Sequence, residues 1–292
     1  MEVSRPRLPA PTAFVLAGGR SLGGVEVGML QGLVDWGESP AFGVGASGGA
    51  INAAYFAAVP TRDGVEELRR VWCSIRRRDV LPFGLPGVLG ALLGRKGHLV
   101  DSRGLRHVLE RNLPCDHLEH AVIPVHIVAT ELLSGHEVIL SSGPAVEAVL
   151  ASTAIPGVFP PVKIGSHTLV DGGVANNAPI SVAIALGALS VIVLPTGFAC
   201  ALPEEPRGAV ARAMHAVSML VARQLFRDAE HWRNSHIQLR IVPSLCPLGV
   251  SPYDYSAADA LIQRAHDNTK LWLENGGLEF VMLPDELRMH HH

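Results

Sequence analysis

Gly45-Ala46-Ser47-Gly48-Gly49 is the stretch of sequence that decides the fold. A short apolar run, FGV, precedes it at residues 42–44, and a helix-like run, AINAAYF, follows at residues 50–56. Strand, sharp turn and helix in this order are the setting of a nucleophile elbow, which holds a serine hydroxyl clear of the backbone. Small neighbours are required because the strand and the helix pass closely. The stretch, called the elbow below, predicts a nucleophilic Ser47, with a glycine-rich turn and an incidental serine as the alternative.

A second glycine-rich turn lies upstream, after a predicted buried strand at residues 12–17 and before a predicted helix at residues 25–36. This glycine loop, residues 18–24, has the sequence GGRSLGG. It fits neither a P-loop, because no lysine is nearby, nor the G-x-G-x-x-G spacing of a dinucleotide site. Backbone N–H groups of such a loop can instead bind an oxyanion. A plain tight turn is the alternative.

The composition excludes several classes of function. The chain has 292 residues, of which 48% are hydrophobic and 17% charged, a balance that argues against disorder. A net charge of −3 gives no basic footprint for nucleic acid, and 5% aromatic residues give little for base stacking. The four cysteines show no paired metal spacing, which indicates reduced thiols and a cytoplasmic location. They are Cys73, Cys115, Cys200 and Cys246.

Predicted strands and helices alternate along the chain, which favours a three-layer α/β fold with a central, mainly parallel sheet. We expect a single domain over residues 12–283, an N-terminal tail at residues 1–11 and a tag remnant at residues 289–292. No secretory signal and no run of ~18 apolar residues is found. Further predicted strands are 121–131, 136–141, 168–170, 190–194 and 236–242; further predicted helices are 48–58, 63–75, 103–112, 144–151, 179–187, 207–232 and 257–275.

One apolar stretch stands apart from this alternation. It runs from Leu81 to Leu93, LPFGLPGVLGALL, between the cations of residues 76–78 and residues 95–96. It is too short and too broken by proline and glycine to span a bilayer. Cations around an apolar loop suit peripheral contact with an anionic membrane, or a lid over an apolar pocket. A buried surface loop is the alternative.

A serine nucleophile needs a base, and Asp171 is the best-placed candidate. It ends a predicted strand and precedes Gly172-Gly173, and active sites of open α/β sheets lie at the carboxyl ends of strands. A carboxylate within about 2.6–3.2 Å of a serine hydroxyl could accept its proton. A simple Asp-Gly-Gly turn is the alternative. The downstream histidines have no distinctive setting and are interpreted as solvated or structural: His215, His231, His236 and His266.

Taken together, four motifs in this order resemble the patatin-like phospholipase family. The resemblance extends from about residue 12 to residue 194. Its first motif is LAGGRSLG at residues 16–23, and its second is the elbow. The third motif is ASTAIPGVFPP at residues 151–161, and the fourth is LVDGGVANNAP at residues 169–179. Each motif is weak alone, and their order makes the signal specific.

The resemblance implies a lipid acyl hydrolase with a Ser47–Asp171 dyad, an acyl-enzyme and no histidine. It places the oxyanion against backbone N–H groups of Gly18, Gly19 and Arg20, and it implies neither a metal nor an organic cofactor. The implied substrates are phospholipids, lysophospholipids or acylglycerols. The chain departs from the family's G-G-G-x-[KR]-G loop, because Arg20 replaces the third glycine and Leu22 the basic residue.

Two other functions stay open at this point. The first is a catalytically weak or idle lipid-binding scaffold on the same fold, which the departure at Arg20 supports. The second is an acyltransferase, which would need a base histidine, His126 or His215, beside Ser47. Head group, acyl position, chain length and oligomeric state are not predicted.

Overall fold

The computed structural model describes residues 8–19, 22–80, 97–196, 205, 208–232, 235–246, 255–279 and 284. Over these residues a central sheet carries helices on both faces. The strands are β1 (Thr12–Leu16), β2 (Phe42–Ala46), β3 (Val125–Glu131), β4 (Glu137–Leu140), β5 (Val162–Ile164), β6 (His167–Asp171), β7 (Ser190–Leu194) and β8 (Gln238–Ile241). The helices are α1 (Gly23–Trp36), α2 (Gly48–Ala58), α3 (Arg62–Ser74), α4 (Arg77–Val80), α5 (Arg103–Asn112), α6 (Ala145–Ser152), α7 (Ile180–Ala185), α8 (Ala209–Trp232) and α9 (Ala258–Glu274).

The sheet is mainly parallel, as predicted. Five parallel strands follow the order β8-β7-β1-β2-β3. β4 and β6 both pair with β3 in the antiparallel sense, and β5 pairs with β6. The five parallel strands therefore direct their carboxyl ends to one edge of the sheet, where ligand sites of such sheets lie.

The three-layer arrangement follows from alternation along the buried strands. Successive side chains of a strand point to opposite faces of the sheet. Phe14 and Leu16 of β1 lie in a core with α1, α2, α3 and α9. Ala13 and Val15 lie in a second core with α7 and α8. Every residue of β1 is buried, which confirms the prediction of a buried first strand.

Strands β2 and β6 meet end to end along one edge of β3. Val128 pairs with Ala46 of β2 and also with β4, so β2 and β4 lie on opposite edges of β3. Ala129 pairs with β4 and also with Asp171 of β6, so β6 lies on the same edge as β2. β2 therefore ends beside the last residue of β6. This register places Ser47, the next residue after β2, next to Asp171.

The helix and strand boundaries differ from the predictions by a few residues. The start of α5 is as predicted, and its capping contact is the N–H of Arg103 donating to Asp101 Oδ1 at 2.8 Å. α3 begins at Arg62 because Thr61 caps it. Strand β3 begins only at Val125, because Pro124 before it has no N–H for the ladder. Strand β5 and helix α4 were not predicted.

Several sequence predictions fall partly or wholly outside the described part of the chain, among them most of the N-terminal tail and the tag remnant at residues 289–292. The apolar stretch at residues 81–93 lies outside it, and so does Arg20. Across the residues that the structure does describe, no helix combines the length and the apolar character needed to cross a membrane.

Candidate active site

Ser47 occupies a strained position at the tip of the elbow. Its φ is 51°, and no other non-glycine residue in the described ranges has a positive φ. A Cβ on Gly45 would lie 2.6 Å from the carbonyl oxygen of Gly49, and one on Gly49 would lie 2.3 Å from that of Leu16. Only glycine fits at either position, since the nearest atom to each added Cβ is a backbone atom. The turn thus has the shape of the predicted nucleophile elbow.

The hydroxyl of Ser47 is directed at Asp171. Oγ of Ser47 donates to Oδ2 of Asp171 at 2.7 Å, and the N–H of Gly173 donates to Oδ1 at 2.8 Å. Both side chains are nearly buried, with 7% of Ser47 and 6% of Asp171 exposed. Ser47 is the N-cap residue of α2, but its side chain makes no capping bond. The carboxylate is therefore held in a fixed orientation from which it could accept the hydroxyl proton.

The backbone of both residues is tied to the motif at residues 151–161. The N–H of Ser47 donates to Oγ of Ser152 at 2.9 Å. The N–H of Asp171 donates to the carbonyl oxygen of Ala154 at 2.9 Å. The sequence predicts no role for Ser152, although this residue lies in one of the four motifs that carry the family resemblance.

The glycine loop lies against the elbow. A Cβ on Gly18 would lie 2.9 Å from Cβ of Ser47, so the loop backbone borders the nucleophile. The N–H of Gly18 donates to the carbonyl oxygen of Asn177 at 2.9 Å, and Oγ1 of Thr196 donates to the carbonyl oxygen of Gly18 at 2.9 Å. Both the N–H and the carbonyl oxygen of Gly18 are thus hydrogen-bonded within the fold. Within the described ranges, the N–H of Gly19 has no hydrogen-bond partner.

Among the described residues, no histidine is a hydrogen-bond partner of Ser47. The hydrogen-bond partners of the Ser47 side chain and N–H among the described residues are Asp171 and Ser152. His126 pairs with Val44 in the middle of the sheet, and its Nδ1 lies 2.7 Å from Oγ of Ser141. The arrangement expected of an acyltransferase, with a histidine beside the nucleophile, is therefore not found in this part of the chain.

A buried carboxyl group lies behind the two glycine turns. Nδ2 of Asn52 donates to Oε2 of Glu26 at 2.7 Å and to the carbonyl oxygen of Gly23 at 2.9 Å. Nε1 of Trp72 donates to Oδ1 of Asn52 at 2.7 Å. Burial holds the pKa of Glu26 well above its ordinary value of 4.5. Because α1 follows the glycine loop and α2 follows the elbow, this network joins the two turns. The only sequence signal was an acidic residue between two valines in the first turn of α1.

Comparison with known proteins identifies the family. A model of the patatin-like phospholipase family matches residues 14–184, more than half of the chain, and the match includes the glycine loop, the elbow and Asp171. The chain belongs to the patatin-like phospholipase family. The resemblance predicted from the four motifs is thereby confirmed, as is the three-layer α/β fold.

Individual relatives of this patatin-like chain share less than a third of its residues over the matched region. Uncharacterised NTE family proteins of Mycobacterium bovis and Mycobacterium tuberculosis are 29% identical over 178 residues, which are 61% of this chain and 46% of each relative. Patatin-like phospholipase domain-containing protein 7 of Mus musculus is 26% identical over 191 residues, 63% of this chain and 13% of that protein. VipD from Legionella pneumophila is 14% identical with a TM-score of 0.48, over 91% of this chain and 67% of its own. The chain thus spans about half the length of the mycobacterial relatives.

Proposed function

We propose that the protein is a serine hydrolase that cleaves carboxylic esters of lipids, with Ser47 as nucleophile and Asp171 as base. The observation that carries the proposal is the 2.7 Å contact between Oγ of Ser47 and Oδ2 of Asp171 at a strained elbow. Membership of a family described as phospholipases supports the lipid ester as substrate. We also propose that residues 12–283 form one catalytic unit.

In the first step, Oγ of Ser47 attacks the ester carbonyl while Oδ2 of Asp171 accepts its proton. The carbonyl oxygen becomes an oxyanion, which collapses to an acyl-enzyme on Ser47 as the proton passes to the leaving alcohol. Water then attacks the acyl-enzyme, with Asp171 accepting a proton from the water. The acid is released and the hydroxyl of Ser47 is restored. Every proton in this cycle passes through one carboxylate.

The glycine loop supports an oxyanion site in this proposal. Of the predicted oxyanion donors Gly18 and Gly19, only Gly19 has an N–H without a hydrogen-bond partner among the described residues. The backbone of the loop also borders Ser47. The N-terminus of α2 adds the positive end of a helix dipole. Gly18 then has a positioning role, because its own N–H is bonded to Asn177. Arg20 remains a proposed third donor.

Apolar side chains near the site support a substrate with an acyl chain. Leu132 and Leu133 directly follow β3, three and four residues after Ala129, the strand partner of Asp171, and they are 45% and 90% exposed. Val174, three residues after Asp171, is 57% exposed. Because β3 runs parallel to β2, which leads into Ser47, we infer that these side chains can contact lipid that approaches the dyad. Peripheral membrane contact through residues 81–93 stays part of the proposal.

Hydrolysis assays test this function. Wild-type protein is expected to hydrolyse at least one of three micellar substrates: a phospholipid, a lysophospholipid or a monoacylglycerol. Ser47→Ala should lower turnover by at least about 10³-fold, and Asp171→Asn by about 10⁴-fold, because both remove the proton transfer. Asp116→Asn, a change at an exposed aspartate, is the control and should leave turnover unchanged.

Two results would contradict the proposal. Near wild-type turnover in Asp171→Asn would remove Asp171 from the role of base. Lipid binding without any hydrolysis that depends on Ser47 would favour the idle scaffold on the same fold.

A further inference from the structure

The end of helix α6 contacts the backbone of both proposed dyad residues. Oγ of Ser152, the last residue of α6, accepts the N–H of Ser47 at 2.9 Å. Two residues later, the carbonyl oxygen of Ala154 accepts the N–H of Asp171 at 2.9 Å. Ser152 and Ala154 therefore hold two backbone positions that are 124 residues apart in sequence.

The hydroxyl of Ser152 is fully buried, and it is used both as acceptor and as donor. While it accepts from Ser47, it donates to the carbonyl oxygen of Val128 at 2.6 Å. Val128 pairs with Ala46, the last residue of β2. The hydroxyl thus joins the first residue after β2 to the neighbouring strand, at the point where the β-ladder between them ends. No water is needed to satisfy either group.

The loop that carries the proposed base also lies against this hydroxyl. A Cβ on Gly172 would lie 2.0 Å from the carbonyl oxygen of Val128 and 3.3 Å from Oγ of Ser152. Gly172 directly follows Asp171. The elbow, β3 and the loop that follows Asp171 therefore meet at the hydroxyl of Ser152.

The conformation of Ser47 gives this contact its importance. A positive φ at a residue with a Cβ is unfavourable and persists only when surrounding contacts enforce it. Without Ser152 the buried N–H of Ser47 would lose its partner, and a buried unpaired N–H is itself unfavourable. The backbone of Ser47 could then relax and move Oγ away from Oδ2 of Asp171.

We propose that Ser152 is a positioning residue that fixes the nucleophile relative to its base, and that this is the role of the motif at residues 151–161. The inference rests on the proposed hydrolase function. Ser152 lies behind Ser47 and contacts its backbone, so its effect on the reaction passes through Ser47. Its loss should therefore lower kcat and leave KM nearly unchanged.

The matched control is the neighbouring Thr153→Val. Oγ1 of Thr153 is also buried, but within the described ranges it donates only to carbonyl groups of its own helix, those of Val149 and Leu150. Removing this hydroxyl deletes a buried hydrogen bond at the same end of α6 without touching the dyad. A general weakening of α6 would affect both variants equally, whereas a positioning role affects only Ser152.

The experiment compares kcat, KM and the rate of fluorophosphonate labelling in wild type, Ser152→Ala, Ser152→Cys and Thr153→Val. We expect Ser152→Ala to lower kcat and the labelling rate by about 10–100-fold, with KM changed by no more than about 2-fold. Ser152→Cys should fall between wild type and Ser152→Ala, because a thiol is a weak donor and acceptor. If Ser152→Ala does not fold, Ser152→Cys against Thr153→Val carries the comparison.

The outcomes separate this inference from the proposed function. If wild type shows turnover that depends on Ser47, and both Ser152 variants match Thr153→Val in kcat, the positioning role is wrong and the hydrolase stands. A rise in KM at unchanged kcat would also contradict positioning. If wild type shows no turnover that depends on Ser47, both proposals fail.

Discussion

The elbow and the glycine loop are both glycine-rich turns between a parallel strand and a helix. Backbone atoms exclude a side chain at Gly49 of the elbow, whereas side-chain atoms do so in the glycine loop. At the elbow, the atoms that exclude a Cβ on Gly49 are backbone atoms of Leu16 and Ala17 in the adjacent strand and its loop. In the glycine loop, the atoms that exclude a Cβ on Gly18 or Gly19 belong chiefly to the side chains of Asn177 and Thr196. A backbone obstacle cannot be removed by mutation, whereas a side-chain obstacle can.

The largest effect is expected for Gly49→Ala at the elbow. The new Cβ would lie 2.3 Å from the carbonyl oxygen of Leu16, so strand β1 or helix α2 must move. We expect the free energy of unfolding to fall by about 3 kcal/mol or more, the upper end for overpacking, and esterase activity to be lost. Urea unfolding monitored by circular dichroism, together with turnover, measures both.

Gly43→Ala is the matched control for this prediction. Gly43 lies in β2, six residues before Gly49, and a Cβ there would meet no atom within 4 Å. Its free energy of unfolding should stay within about 0.5 kcal/mol of wild type. Equal destabilisation by the two substitutions would show that the backbone contact at Gly49 does not decide the elbow.

A smaller loss of stability, which a second substitution can partly restore, is expected for Gly18→Ala in the glycine loop. The new Cβ would lie 2.2 Å from Oδ1 of Asn177, which should lower the free energy of unfolding by about 1–3 kcal/mol. Adding Asn177→Ala removes that obstacle and should restore part of the loss, although Cβ of Ser47 at 2.9 Å remains. A double variant that is less stable than Gly18→Ala would contradict the difference drawn between the two turns.

The smallest effect, taken per pH unit, concerns Glu26, whose network joins the two turns, and it appears as a pH dependence. Burial raises the pKa of Glu26, so above pH 4.5 the unfolded chain loses this proton while the folded chain keeps it. The free energy of unfolding therefore falls as pH rises, by at most about 1.4 kcal/mol per pH unit, until the pH reaches the raised pKa. In Glu26→Gln this contribution is absent, so the variant should gain stability relative to wild type between pH 5 and pH 8.

Urea unfolding of both proteins at each pH measures this difference, with the exposed Glu230→Gln as control. Parallel pH profiles for wild type and Glu26→Gln would mean that Glu26 is ionised in the folded protein.

The same contrast explains how much could be predicted from the sequence. The elbow was predictable because strand, turn and helix are consecutive residues, and Asp171 because its strand end is visible locally. The other partners are brought in from a distance: Ser152 lies 105 residues from Ser47, and Asn177 lies 159 residues from Gly18. No periodicity or spacing reports such contacts. For the same reason, the sequence did not show that the N–H of Gly18 is bonded within the fold.

The most direct test of the Ser47–Asp171 dyad is labelling of the folded protein with a fluorophosphonate probe, followed by peptide mapping. The dyad predicts a single labelled residue, Ser47, and a labelling rate that falls by at least about 10³-fold in Asp171→Asn. Labelling of another serine, or an unchanged rate in Asp171→Asn, would contradict it.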